Sequence, residues 1–435
     1  MGEFMQAEVL PFTDLMLNTG AWTSWVPREE IRPDFQIDPH GGPGGGPALV
    51  ISGAGNRLSC GCWQMPLKGI VSGRRYRIEA LFQTEKIATP GKCVRAILTT
   101  GAKDQPRFFA HLDHTGQSGN WHRVGHVFVA PDPVPDLTVH VFLAWAPAGT
   151  VRWGDVRLCD VTGREETGHH KVHCAAISGN PENPTSPAQC LDFYTQRIQA
   201  IGTDVDVICL PELINMTGLP GRAVDWAEPI PGPTSERLSE AARQRGAYVA
   251  ASILERQGDA VYNTGLLIDR NGGLVGKYRK THLTLNEGLL CGYAPGNELP
   301  IFHTDFGVLA YMICYDGHYP EVPRLLALKG ADIILFSNMG DGREGGSLWE
   351  SFIRTRAIDN QVHIVAAVNG GRSCVVSPTG ELLALTDKTP GATAVATCDL
   401  DASLCDFTKR PIHKRYDQLR RADLFGDLAR HMWDG

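Results

Sequence analysis

The stretch VLAYMICYDGHYPE (308–321) decides how the second half of the chain folds. Val308 to Ile313 form an unbroken apolar run, Cys314 ends it, and Asp316-Gly317 marks a turn. A short run that is apolar on both faces of the pleat reads as a strand covered on both sides. Similar runs lie on either side of it: VHCAAISG (172–179), DVICLPE (206–212), AYVAASILE (247–255), TGLLIDR (264–270), ADIILFSN (331–338) and HIVAAVNG (363–370). Helix-like segments stand between several of them. PAQCLDFYTQRIQAIG (187–202) follows turn-forming residues and stops at a glycine. SERLSEAARQRG (235–246) offers Ser235 as N-cap and Gly246 as stop. Apolar strands alternating with helices give an α/β fold.

Upstream of about residue 165 the texture changes. RRYRIEALF (74–82), KCVRAILTT (92–100), WHRVGHVFVA (121–130), LTVHVFLAWA (137–146) and TVRWGDVRL (150–158) alternate apolar and polar residues between turn signals. This is the pattern of an antiparallel β-sandwich. HGGPGGGPALV (40–50) reads as a flexible loop, and the polar stretch GREETGHH (163–170) as the linker. The expected domains are therefore 1–165 and 170–435. Six of the nine tryptophans, Trp22, Trp25, Trp63, Trp121, Trp145 and Trp153, fall in the first.

Composition narrows the function classes. The chain has 435 residues, 43% hydrophobic and 20% charged, with a formal net charge of −7. No basic block supports a nucleic-acid partner. No apolar run reaches the roughly 18 residues of a membrane helix. The N-terminus has no basic region followed by an apolar one, so no secretory leader is expected, and Gly2-Glu3-Phe4 reads as a cloning scar. The 12 cysteines lack paired spacing, and the one-residue gap between Cys60 and Cys62 suits neither zinc nor a redox pair. They read as reduced thiols in a cytoplasmic protein.

Three reactive side chains lie at or near the ends of apolar runs, where a strand fixes the backbone and a loop exposes the group. They are Glu212 in DVICLPELIN, the cluster Lys277, Arg279 and Lys280 in GKYRKTHL (276–283), and Cys314. Singly, each has an ordinary reading: a surface Glu, a solvated basic loop, an inert core Cys. Together they suit acyl transfer. A carboxylate in an apolar pocket can take the thiol proton, the thiolate attacks, and an ammonium holds the developing oxyanion. A Cys–His arrangement with His282 or His318 as base is the rival.

At these residues the sequence resembles the nitrilase superfamily of carbon–nitrogen hydrolases, over roughly 170–400. CLPE corresponds to the family's first Glu at Glu212, YRKTHL to its Lys at Lys280, and ICYDGHYPE to its Cys at Cys314. KVHCAAISGN, GADIILFSN, FIRTRAIDNQVHIVAAVN (352–369) and SPTGELL (377–383) also fit. The resemblance implies a four-layer α-β-β-α sandwich, no metal and no organic cofactor. It implies a second Glu after the Lys, for which Glu287 is nearest and Glu298 lies in the same loop. It implies an oxyanion site between Lys280 and the backbone N–H of Tyr315, and a Cys314 thioester that water then hydrolyses.

Substrate class is read from departures. Nitrilases follow the Cys with Trp-Glu, whereas Tyr315-Asp316 stands here. Carbamoyl-amino-acid hydrolases often place Arg where Gly317 and His318 stand, although Arg324 or Arg343 could supply a carboxylate clamp. The expectation is a small-molecule amide, with a carbamoyl compound or a nitrile as alternatives and a silent scaffold as the contrasting class. Asn338, at the end of its strand, His318, Arg343 in GDGREGG (340–346) and Trp349 are the expected pocket residues. The N-terminal half resembles galactose-binding-like, jelly-roll modules. Its tryptophans are either carbohydrate platforms or core, and core is the preferred reading. The family resemblance also implies a homo-oligomer, with the basic stretch KRPIHKR (409–415) opening a C-terminal arm.

Overall fold

Alternation in the first half becomes two antiparallel sheets. The computed structural model describes residues 12–16, 19–101, 107–163, 171–340, 347–400 and 424–429. The linker at 164–170, Arg343 and the stretch 409–415 lie outside the described residues. The described residues divide into two compact units, one of 12–163 with 424–429 and the other of 171–400, and each is described by itself.

In the first unit, a seven-stranded sheet is built around Arg75–Glu85, Trp121–Val129 and Thr150–Asp160. A five-stranded sheet is built around Cys60–Pro66, Val94–Thr100 and Thr138–Ala144. Every second residue of Arg75–Glu85 is buried along most of its length, as a strand with one covered face requires. One hydrophobic cluster draws on both sheets, with Ile78 and Trp153 from the first and Leu98 and Leu143 from the second. Trp22, Trp63 and Trp153 are buried in it, and only Trp145 stands out, at 55% exposure. Three of the six tryptophans are therefore core. The loop expected at 40–50 is more ordered than its glycines suggest. It forms a tight turn at Pro43–Gly45 closed by Gly42 N–H to Gly46 C=O (2.8 Å), and its ALV end already belongs to the strand Ala48–Ser52.

The second unit holds two six-stranded sheets, each with three parallel strands at its centre. In one the order is Leu274–Arg279, Ala260–Ile268, Tyr248–Gln257, Val207–Cys209, Lys171–Ile177, Thr393–Asp399. In the other it is Ile301–His303, Val308–Ile313, Ile333–Gly340, His363–Gly370, Cys374–Val376, Leu382–Leu385. The continuous apolar runs are explained by what covers each face. Leu309, Tyr311 and Ile313 join Cys174, Val207 and Leu267 in a cluster between the sheets. Their neighbours Ala310 and Met312 face the other way, onto the helices Glu321–Leu328 and Ser347–Asn360. Ala175 and Ile177 likewise meet the helices Pro187–Ala200 and Pro233–Arg245.

The sheets approach closely. A Cβ on Gly265 would sit 2.6 Å from the Tyr311 ring, so no larger residue fits there. The Tyr311 hydroxyl meets Ser337 Oγ at 2.5 Å, and Ser337 donates to the Leu210 carbonyl at 2.6 Å. Ser235 is not the helix cap. The cap is Gly232, and Ser235 sits one turn in, where its Oγ accepts from Gly232 N–H at 2.8 Å. Gly246 does close that helix, in the left-handed conformation at φ 68°.

Candidate active site

Strand ends bring the reactive groups together. Glu212 follows the short strand Val207–Cys209, Lys280 follows Leu274–Arg279, and Cys314 follows Val308–Ile313. The basic cluster of the sequence is sorted by the pleat. Lys277 and Arg279 point to one face and bind the buried Glu255, at 2.5 and 2.7 Å. Tyr278 and Lys280 take the other face and are almost wholly buried. Lys280 is thus no solvated loop residue, at 1% exposure.

Lys280 Nζ lies 3.0 Å from Glu212 Oε1 and 2.8 Å from each oxygen of Glu287. Glu287 is therefore the second carboxylate beside the lysine, while Glu298 is exposed. Glu287 sits in a single π-turn, Asn286–Leu290, and also accepts from Thr284 N–H (2.9 Å) and Thr284 Oγ1 (3.1 Å). Burial works against the lysine's charge, but the two carboxylates outweigh it and hold Lys280 above its ordinary range. Burial raises the pKa of Glu212, with Glu287 adding to the effect and Lys280 opposing it. For Glu287 burial is outweighed by Lys280, Thr284 and Asn263, and its pKa is lowered.

Asn263, fully buried and not anticipated from the sequence, joins the two carboxylates. Its Nδ2 donates to Glu212 Oε1 (2.7 Å) and Glu287 Oε1 (3.1 Å), and its Oδ1 accepts from Ser252 Oγ (2.7 Å). Ser252 Oγ also accepts from Leu213 N–H (3.1 Å), and Asn369 Nδ2 donates to the Glu212 carbonyl (2.6 Å). The backbone on both sides of Glu212 is thereby pinned. Glu212 Oε2 is left buried with no hydrogen-bond partner.

Cys314 is half-buried, and its φ of 42° places a non-glycine residue in the left-handed region. Such a conformation costs about 1–3 kcal/mol and survives only where the surroundings impose it. Asp316 imposes it. Its Oδ2 accepts from Ile313 N–H (2.9 Å) and Tyr278 Oη (2.7 Å), and its Oδ1 from His282 N–H (3.0 Å) and Thr281 Oγ1 (3.1 Å). One buried carboxylate thus ties the turn after Cys314 to the chain just after Lys280. Burial and the Glu212 carboxylate push the Cys314 thiol up, against the pull of Lys280 and the Met339 N–H. Burial thus favours the neutral thiol at Cys314.

The remaining expected residues divide. His282 is engaged with Asp316 (3.2 Å) and stacks on Tyr319 at 3.9 Å between ring centroids. His318 is exposed and packs on Tyr315 and Phe352. The Cys314 pKa is moved chiefly by burial, Glu212 and Lys280. Asn338 is buried, and its Oδ1 accepts from Gly340 N–H (3.2 Å). Trp349, expected in the pocket wall, is core instead. It is buried between Phe336 and Phe352, because its helix turns that face toward the sheet. Arg324 donates to the Asp359 carbonyl. Among the described residues, no group of three or more His, Cys, Asp or Glu side chains could hold a metal ion.

A carboxylate, an ammonium and a thiol gathered at strand ends define a cysteine hydrolase site. Residues 161–409 match the family model described as carbon-nitrogen hydrolase, and the chain belongs to that family, within the nitrilase superfamily. An omega-amidase of Danio rerio is 32% identical over 251 residues, covering 52% of this chain and 87% of the relative. The deaminated glutathione amidase of Homo sapiens is 26% identical over 299 residues, covering 63% and 84%. A solved amidase of the nitrilase superfamily from Nesterenkonia aligns with a TM-score of 0.50 at 22% identity, covering 61% of this chain and 98% of that one, and speaks for the fold.

Proposed function

We propose that this chain is an amidase that hydrolyses a small non-peptide amide through a thioester on Cys314. The observation that carries the reading is the Glu212 carboxylate. Its Oε1 accepts from Lys280 and Asn263, and the carboxylate also acts on the Cys314 thiol, as a base beside it would. Burial raises both proton affinities, so the proton can pass from Sγ to Glu212 as sulfur attacks the carbonyl carbon. The oxyanion forms against Lys280 Nζ and the Tyr315 N–H. Glu212 returns the proton to the departing nitrogen as the C–N bond breaks, releasing ammonia or an amine. A water molecule, deprotonated by Glu212, then cleaves the thioester to a carboxylic acid and restores the thiol. Amidase names among the relatives support this class over nitriles.

Three of the core clusters in the second unit fit a four-layer α-β-β-α arrangement, and the two sheets of the first fit a β-sandwich in which three of the six tryptophans are core. A homo-oligomer and a cytoplasmic location remain part of the proposal. Ammonia release from a panel of simple amides, carbamoyl compounds and nitriles tests the reading. Turnover of amides that Cys314→Ala abolishes is expected. Full turnover by Cys314→Ala would overturn the scheme.

A further inference from the structure

Met339 lies near the end of the strand Ile333–Gly340 and is tied to both Cys314 and Glu212. Its backbone N–H bonds the Cys314 thiol. Its thioether Sδ, a weak acceptor, takes a hydrogen bond from Asn369 Nδ2 at 3.4 Å. The same Nδ2 donates to the Glu212 carbonyl at 2.6 Å, and Asn369 Oδ1 accepts from Tyr194 Oη at 3.3 Å. Asn369 and Tyr194 are both buried. The amide is thus held from three sides, and an atom added at the sulfur presses on the group that pins the backbone of Glu212.

This sulfur is also open to solvent. Met339 is 39% exposed, whereas Met16 and Met312 are buried and Met65 and Met216 are half-buried. Among the described methionines it is therefore the one a dissolved oxidant meets first. Oxidation turns a flexible apolar side chain into a polar one. The sulfoxide oxygen is a stronger acceptor than the thioether. It also needs space on a sulfur that already lies against Asn369 Nδ2, and a gap of 3.4 Å has no room for an intervening atom.

We propose that Met339 is an oxidation site through which a hydroperoxide slows the chemistry of Cys314. The sulfur lone pair takes one oxygen of hydrogen peroxide as the O–O bond breaks. The thioether is oxidised by two electrons to the sulfoxide, and the other oxygen leaves as water. Asn369 then turns toward the new oxygen or away from it, and in both cases its bond to the Glu212 carbonyl is lengthened or lost. As a control on catalysis this rests on the amidase reading; as a control on the thiol it does not.

The test treats the full chain with hydrogen peroxide and then with dithiothreitol, which returns sulfenic acids and disulfides to thiols and leaves methionine sulfoxide in place. Peptide mass spectrometry should find the sulfoxide at Met339 ahead of Met16, Met65, Met216 and Met312. Iodoacetamide labelling of Cys314 and amide hydrolysis should each fall about tenfold or more. Methionine sulfoxide reductases A and B, one for each epimer, should restore both, and this arm needs no variant. Met339→Leu, compared with its own untreated rates, should keep them after the same treatment. No sulfoxide at Met339, a sulfoxide that leaves the labelling rate unchanged, a loss that the reductases do not reverse, or an equal loss in Met339→Leu would overturn the proposal. Slowed labelling in a chain that hydrolyses no amide would uphold the control on the thiol and overturn the amidase reading alone.

Discussion

Lys280 Nζ and Glu212 Oε1 lie 3.0 Å apart, with both side chains almost wholly removed from solvent. A buried pair of this kind is weak evidence of stability, but breaking it is costly because an uncompensated charge remains. Here the ammonium also separates two carboxylates. Lys280→Ala should therefore lower unfolding free energy by about 3–5 kcal/mol in chemical denaturation, besides removing activity. A change below about 1 kcal/mol would mean that water reaches the site.

Asn263 predicts a more selective effect. Its amide favours ionised Glu212, so removing it raises the Glu212 pKa further. Glu212 must be anionic to accept the thiol proton. The acid limb of kcat/KM should therefore lie above the ordinary glutamate range, and Asn263→Ala should move it to still higher pH. Asn263→Asp, which adds a third carboxylate, should be worse than Asn263→Ala. A limb that does not move would leave Asn263 a packing role only.

Asp316 joins the Cys314 turn to the segment after Lys280, so its loss should misplace the nucleophile rather than remove a reacting group. Asp316→Ala is expected to lower kcat about a hundredfold with a smaller change in KM. Tyr278→Phe removes one of the bonds to Asp316 and should cost about 1 kcal/mol of stability with most activity retained.

Glu255, clamped by Lys277 and Arg279, has its carboxyl lowered to about 2; burial opposes that shift and the cations dominate. A depressed acid stabilises the fold above its unfolded value, near 4.5, and the contribution fades as pH falls toward about 2. It is worth at most about 3 kcal/mol. Glu255→Gln should flatten stability between those limits in acid titrations followed by circular dichroism. An unchanged acid transition would show that other carboxylates control it.

Glu212 and Cys314 were legible in the sequence because each follows an apolar run, and a strand end is a position that pattern can locate, whereas Lys280 stood out through the YRKTHL stretch. Asn263 was not, since a lone Asn within a strand looks like any polar residue until pairing with the Ser252 strand gives it partners. Asp316 carried a substrate-class reading in the sequence, yet it is fully buried and holds the turn. Trp349 was misread from its neighbouring glycine-rich loop, because the sequence does not reveal which face of the helix meets the sheet. The residues alone left Lys277, Arg279 and Lys280 as one basic cluster; the family resemblance singled out Lys280, and the pleat gives the physical reason, turning the other two onto Glu255.

The alkylation rate of Cys314 tests the central claim, that Glu212 is the base for this thiol, without requiring a known substrate. Iodoacetamide labelling at neutral pH, followed residue by residue by mass spectrometry, should modify Cys314 before the other thiols. Glu212→Gln should slow that labelling sharply and His318→Ala should leave it unchanged. Fast labelling in Glu212→Gln combined with its loss in His318→Ala would contradict the account.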